Sequence, residues 1–403
     1  MLLGIRIVNY TIFLDDRAGA LLEDYFSGRV NSSKGAAAGI EPVIPLSNLN
    51  ALIGRNQTGK SMFFDALSFI SDSTIMGCAD ASVSSGRPGF SRLLSEKSNI
   101  MSFELFFLLS DNSKGEGGEE YYISYEFSLI PDAHGRPSYS YEKVIRCNCR
   151  KNSPEQKVLL ELKNGKGKVE FSGEPIDAEV TDTKNSALRS YGSIPQCPGL
   201  NVLYEEISHW FFCRFSFHNN GNGRKQQVAP GGHRHLNSDG SNIQNVLDFM
   251  RIENPRLYGN VIERIKRKIP SVGKVSDKLP EDFKKSPDKL FLYLLLLDDP
   301  KPRPLICIET PDMGLYHDMV DVLSAEFRDY SIKHVFSQIM FTTHNPYILE
   351  SVSPNEVWIF KRDGDKSGNI IDIECAGAKP IVAEMYTQGV GMGAIWYGGY
   401  FDD

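Results

Sequence analysis

The chain lacks a cysteine framework. Its seven cysteines are scattered and odd in number, which argues for a reduced, cytoplasmic protein and against a disulfide-built secreted scaffold. Cys147 and Cys149 stand two apart in a strand-like run, with no second pair to complete a zinc site, and read as structural. A long apolar run is lacking too. The most apolar stretch, Leu290 to Leu297, falls far short of the roughly 20 residues a membrane span needs. A buried helix is expected there, and no membrane partner. The opening MLLGIRIVNY does not have the form of a signal peptide. Nor is there an excess of positive charge. Lys and Arg total 44 against 51 Asp and Glu, a formal net charge of −7, so nucleic acid would have to be held by a local patch. Internal repeats and coiled-coil heptads are absent. What remains is 403 residues with 41% hydrophobic content, ample for a core and too much for global disorder.

The most informative stretch is Leu49 to Leu67. Gly54-Arg55-Asn56-Gln57-Thr58-Gly59-Lys60-Ser61 fits the phosphate-loop pattern G-x-x-x-x-G-K-[S/T] at every fixed position. An apolar run ending at Ile53 precedes it and reads as a buried strand. Apolar residues at helical spacing follow, from Met62 to Ile70. Strand, Gly-rich turn and helix N-terminus together make an anion site, because successive N–H groups curl inward and the helix adds its positive end. Lys60 is expected to reach the β- and γ-phosphates of a nucleotide, and the Ser61 hydroxyl to ligate Mg²⁺.

Along the chain, strands are predicted over Leu2 to Tyr10 and Val43 to Leu52. A loop with a short helix around Ala20 to Tyr25 is expected between them, and another loop over Ser71 to Pro88. Five β-rich runs follow: Ile100 to Leu109, Glu119 to Leu129, Tyr139 to Cys149, Lys157 to Leu162 and Lys168 to Phe171. Turn clusters separate them, the pattern of an antiparallel meander. From Asn185 the chain reads as mostly helical, with helices over Asn242 to Arg251 and Pro255 to Lys268. The aromatic run Trp210 to Phe217 reads as core. Strand and helix then alternate: helix over Leu290 to Leu297, strand over Pro304 to Glu309, helix over Leu315 to Tyr330, strand over Ser337 to Thr343. Glu356 to Lys361 and Ile370 to Cys375 read as a hairpin. The fold class expected is α/β, a mixed-sheet core with an antiparallel β-subdomain and a helical subdomain.

Two further motifs follow the loop. Leu305-Ile306-Cys307-Ile308-Glu309 is a buried strand ending in an acid, which in phosphate-loop enzymes helps hold Mg²⁺. Phe341-Thr342-Thr343-His344-Asn345-Pro346 is a strand ending at an imidazole, placed at the carboxyl edge of the sheet where ligands bind. GRNQTGKS, ICIETPDMGL and FTTHNP, in this order, resemble the ABC-type ATPases of the SMC-like branch, in particular compact bacterial ATPases related to the overcoming-lysogenisation-defect proteins. The resemblance spans nearly the whole chain, including GSNIQNVLDFMRIENP from Gly240 and GMGAIWYGGY from Gly391. It implies one ABC-type head over residues 1–403, divided into a core half with the phosphate loop (1–95), a β-lobe (96–184), a helical lobe (185–289) and a second core half (290–403). It implies ATP and Mg²⁺ as cofactors, with residues 54–61 binding nucleotide and Ser61 and Glu309 holding the metal. Glu309, Thr310 and His344 fall at the catalytic positions, His344 as the switch histidine that senses the γ-phosphate.

The chain departs from that family at two places. Thr310 stands where the family has its catalytic glutamate, and a hydroxyl has no useful basicity at neutral pH, so slow hydrolysis is expected. The signature L-S-x-G has two candidate remnants, Lys285-Ser286-Pro287-Asp288 and Val275-Ser276-Asp277-Lys278, neither with the glycine. No glutamine-loop residue is evident. Lesser candidates read blandly. His233-Arg234-His235 lacks a nearby acid for metal binding, Asp363-Gly364-Asp365 is hairpin chemistry, and Arg264, Arg267 and Lys268 form a solvated basic face. The resulting expectation is a homodimeric or larger ATPase that regulates or scaffolds a separate effector, a toxin or nuclease, in anti-phage defence. The competing expectation is a DNA-repair-type ATPase that clamps nucleic acid. A self-contained nuclease is not expected, since the segment after His344 is short for an added nuclease domain.

Overall fold

The structure, a computed structural model, describes residues 1–30, 43–96, 98–111, 119–148, 155–215, 232, 234–268, 286–363 and 370–401. In chain order the elements are β1 (Leu2–Tyr10), β2 (Phe13–Gly19), α1 (Leu22–Phe26), β3 (Leu49–Ile53), α2 (Lys60–Met76), α3 (Cys78–Ala81) and α4 (Phe90–Leu93). Then come β4 (Met101–Asp111), β5 (Glu119–Pro131), β6 (Pro137–Asn148), β7 (Glu155–Lys163), β8 (Lys166–Phe171) and β9 (Glu174–Glu179). Next are α5 (Ala187–Gly192), α6 (Pro198–Ser208), β10 (Phe211–Cys213), α7 (Ile243–Glu253), α8 (Pro255–Lys268) and α9 (Ser286–Leu297). The chain closes with β11 (Leu305–Glu309), α10 (His317–Lys333), β12 (Gln338–Thr342), β13 (Val357–Asp363), β14 (Ile370–Cys375), α11 (Pro380–Thr387) and α12 (Met392–Tyr397).

Two sheets organise the chain. One has the order β10-β11-β12-β3-β13-β14, parallel throughout except for the antiparallel β13–β14 hairpin. Its central strands are near-continuous apolar runs because both faces are covered. Leu305, Cys307, Met340, Leu52 and Trp358 face one core, shared with α2 and the second sheet. Ile306, Ile308, Ile339, Phe341, Ala51 and Val357 face the other, under α7, α9 and α10. The second sheet is antiparallel, in the order β2-β1-β4-β5-β6-β7-β8-β9. The Gln338 side chain joins the two sheets, accepting from the Leu2 N–H at 2.6 Å and donating to the Leu2 carbonyl at 2.8 Å.

Several sequence expectations are corrected. The meander is there, but its sheet also takes in β1 and β2, so the antiparallel lobe is not confined to residues 96–184. β2 reads as loop because its Asp15 and Arg17 face outward, where Asp15 pairs with Arg6. The strand expected from Val43 begins only at Leu49. The Asn50 side chain bonds both the N–H and the carbonyl of Ser47, at 2.9 and 2.5 Å, and holds the preceding segment in a turn. The loop expected from Ser71 is helix as far as Met76. Ser73 and Thr74 donate their hydroxyls to the Ile70 carbonyl, both at 2.9 Å, so polar residues are buried at no hydrogen-bonding loss. α9 runs across the expected lobe boundary at residue 289. The basic face of α8 is docked at two of its three residues: Arg264 pairs with Asp298 at 2.6 Å and Glu326 at 3.1 Å, and Lys268 pairs with the same buried Glu326, while Arg267 stays exposed and pairs with Glu263 of its own helix. No helix among the described residues is long and apolar enough to cross a membrane.

Candidate functional site

The parallel register sets the site. Glu309 pairs with Thr342, and Thr342 with Leu52 of β3, so β11, β12 and β3 end at one edge. The phosphate loop leaves β3 at that edge and returns as α2. Positive φ at Gly54 (140°), Gln57 (65°) and Gly59 (101°) produces the curl. A Cβ at Gly54 would lie 2.3 Å from the Phe360 carbonyl oxygen, so only glycine lets the loop pass β13 there. The Lys60 ammonium is buried under the loop, donating to the carbonyls of Gly54 and Arg55, both at 2.7 Å. Burial lowers its pKa to about 8.

A cavity of about 330 Å³ opens at this edge. Its walls include Asn56 to Ser61 of the loop, with Glu309, Thr310, Thr342 and His344. Gly54 and Arg55 line a neighbouring cavity instead. The three sequence motifs, more than 280 residues apart at their extremes, therefore meet in one place. Ile12 from the β1–β2 turn and Arg362 from β13 complete the wall. The Arg362 guanidinium donates to the Gln57 carbonyl at 3.2 Å. Sequence reading missed both, since neither stands near a motif.

Thr310 has φ 40°, an outlier for a β-branched residue. Its N–H donates to Thr342 Oγ1 at 3.0 Å, which holds the strained turn against β12. Two residues on, the Asp312 carboxylate accepts from Thr343 Oγ1 at 3.0 Å, and Thr343 Oγ1 in turn accepts from the Asn345 N–H at 2.9 Å. Burial raises the Asp312 pKa. His344 is exposed at the cavity and not a core histidine. Desolvation first, and then the nearby Lys60 charge, lower its pKa and favour the neutral imidazole. Asn345 accepts from the Tyr347 N–H at 3.0 Å and caps a short 3₁₀ turn, Pro346–Ser351. The buried Lys289 of α9 donates to the Met313 carbonyl, tying the helical elements to the loop after Thr310. Asp312, Thr343 and Lys289 were legible only as neighbours of motif residues.

The donor set fits the groups the motifs call for. Ser61 supplies a hydroxyl and Glu309 an exposed carboxylate, hard oxygen ligands suited to Mg²⁺ when phosphate oxygens fill the remaining positions. The loop supplies inward N–H groups and a buried cation for phosphate. Among the described residues, no cluster of three or more His, Cys, Asp or Glu could hold a metal alone. His235 has found an acid that its sequence neighbourhood lacks, with Nδ1 2.7 Å from Asp299, while His233 lies outside the described residues. So do residues 269–285 with the Ser276 stretch, the side chains of Ser286 to Asp288, Cys149, and Gly364 and Asp365.

Residues 248–350 match a family described as "AAA domain, putative AbiEii toxin, Type IV TA system". No curated protein matches in sequence. Solved structures that match include an Smc head bound to the C-terminal winged-helix domain of ScpA, 13% identical with a TM-score of 0.45, over 93% of this chain and 97% of that one. An SMC head domain from Thermotoga maritima is 13% identical with a TM-score of 0.38, over 93% and 98%. An Smc head with an extended coiled coil, bound to the C-terminal domain of ScpA derived from Pyrococcus furiosus, is 11% identical with a TM-score of 0.42, over 96% and 98%.

Proposed function

We propose that this chain binds ATP with Mg²⁺ in the 330 Å³ cavity, hydrolyses it slowly, and uses the bound state to control a separate effector. The observation that carries the reading is the meeting of Asn56 to Ser61, Glu309, Thr310 and His344 around one cavity; that Thr310 stands in place of a base is what the resemblance implies. Bound Mg²⁺ would neutralise developing phosphate charge. On this reading the loop N–H groups and Lys60 bind and orient the triphosphate, Ser61 and Glu309 would hold the metal, and His344, which lines the same cavity, hydrogen-bonds the terminal phosphate. No carboxylate stands at position 310 to take a proton from water, so turnover falls well below the median enzyme rate of about 10 s⁻¹.

Such a protein acts through state and not through flux. Two heads close over ATP, and slow hydrolysis keeps them closed, which requires that ATP bind the closed state more tightly than the open one. The effector we infer is a toxin or nuclease of a cytoplasmic defence system, in line with the toxin–antitoxin description of the matched family. Calorimetry with ATP–Mg²⁺ tests the site: Lys60→Ala should abolish binding, and unchanged affinity would sink the assignment. Sedimentation tests the closure. A wild-type chain that stays monomeric at micromolar concentration in saturating ATP would exclude it.

A further inference from the structure

The His344 imidazole stands exposed at the cavity wall, and among the described residues it has no hydrogen-bond partner. Its place is therefore set by the backbone that carries it. That backbone is pinned on both sides of residue 344. The Thr343 N–H donates to the Leu52 carbonyl of β3 at 3.3 Å. The Thr343 hydroxyl is fully buried and accepts from the Asn345 N–H at 2.9 Å, which closes the chain around His344. A hydroxyl that accepts in this way still has one proton to place. Thr343 gives it to Asp312 Oδ1 at 3.0 Å. Without that acceptor the buried proton would be unpaired, which is expensive, and the hydroxyl would turn away to find another partner.

Asp312 is itself held in position. It lies in the turn after Thr310, and that turn is tied to the end of β12 by two adjacent threonines. Thr342 Oγ1 accepts from the Thr310 N–H at 3.0 Å, and Thr343 Oγ1 donates to Asp312. From the other side the buried Lys289 of α9 donates to the Met313 carbonyl, and its charge offsets part of the burial of the Asp312 carboxylate. The carboxylate thus stands between a fixed cation and a fixed hydroxyl, and the hydroxyl grips the backbone of the histidine. We propose that Asp312 is the positioning residue of His344: through the Thr343 hydroxyl it fixes the 343–345 backbone so that the imidazole stands at the wall of the nucleotide cavity. That the imidazole there meets a terminal phosphate rests on the function proposed above; that Asp312 places it does not. An imidazole serves a phosphate only within hydrogen-bond reach, so loosening 343–345 weakens ATP and spares ADP.

Calorimetry on the full chain with Mg²⁺ compares the two nucleotides. Wild type should prefer ATP by at least about tenfold, the worth of one hydrogen bond to a charged group. Asp312→Ala and Thr343→Val should each erase most of that preference. ADP affinity should stay within about twofold, which shows that the variants fold and keep the loop. Asp312→Asn retains an acceptor oxygen for Thr343 and should recover the preference. In a His344→Ala chain, Asp312→Ala should cost nothing further. A chain labelled at histidine gives a reading without nucleotide, the His344 signal being the one lost in His344→Gln. At about pH 8, where an ordinary imidazole is neutral, that signal should move in Asp312→Ala and Thr343→Val and much less in Asp312→Asn. An ATP-to-ADP preference unchanged in Asp312→Ala, a further loss in the His344→Ala chain, or an unmoved His344 signal overturns the proposal. ATP affinity unchanged by Lys60→Ala would instead overturn the function proposed for the loop, and the His344 signal alone then decides the placement.

Discussion

Thr310 offers a perturbation whose two effects can be separated. At φ 40° it pays for left-handed backbone, about 1–2 kcal/mol for an L residue, and its β-branch adds crowding. Thr310→Gly removes that strain but frees the unfolded chain, at about 0.4–1 kcal/mol. The net gain therefore lies between about 0 and about 1.6 kcal/mol, and the melting temperature should rise by no more than a few degrees. Thr310→Glu keeps an L residue at the strained position but introduces a carboxylate beside Glu309 and His344. A positioned general base contributes about 10²–10⁴ in rate, a barrier lowering of about 3–5 kcal/mol. ATP turnover, measured by phosphate release at saturating ATP–Mg²⁺, should rise at least tenfold in Thr310→Glu and stay flat in Thr310→Gly. The closed dimer should live shorter in the glutamate variant. Two results would refute the reasoning. If Thr310→Glu binds ATP normally and hydrolyses no faster, the base does not belong at this position. If glycine accelerates turnover as much as glutamate, strain release and not basicity limits the rate.

Two further predictions concern titration. The pKa of Lys60 is about 8 in the free chain, and phosphate favours its charged form, so ATP affinity should decline as pH rises through 8, by up to about tenfold per unit, in calorimetry from pH 7 to 9.5; a flat profile would detach Lys60 from the phosphates. Glu142 is buried, accepting from Tyr125 and Ser186, both at 3.0 Å, and from the Ala187 N–H at 2.6 Å, and burial raises its pKa from 4.5 to about 7. The folded state thus holds its proton more tightly, and the stabilisation present below pH 4.5 is lost as pH rises through 7, on the order of 3 kcal/mol. Urea midpoints from pH 4.5 to 8 should fall less steeply in Glu142→Gln than in the wild type, and parallel curves would refute it.

The parts of the fold that were legible owe it to burial on both faces or to clean alternation. Leu305 to Ile308 and Ile339 to Phe341 are buried whichever way they point, so their apolar runs admit no other placement. The runs of the meander are legible because one face of their sheet carries the shared core, while the other is covered only in part, where α1 meets Phe106 and Cys147. The misread parts are those where tertiary bonding replaces what composition suggests. Ser73 and Thr74 look like loop until the Ile70 carbonyl accepts their hydroxyls. β2 has polar outward residues, and no hydrophobic period marks it. Arg264 looks solvated because Asp298 and Glu326, which pair with it, arrive from 34 and 62 residues away.

The same division holds at the site. Glu309, Thr310 and His344 could be read because strand ends in a parallel sheet converge by geometry: a motif that closes a buried strand must lie at the carboxyl edge. What no local pattern encodes is which strands are neighbours. β3 sits between β12 and β13, and that order brings His344 to one flank of the phosphate loop and Arg362 to the other. It also brings Phe360 against Gly54, so the glycine is required by β13 whatever the loop binds. A loop squeezed between two strands in this way has two open sides, and both carry cavities. The phosphate-loop motif and the two strand ends beside it line one of them.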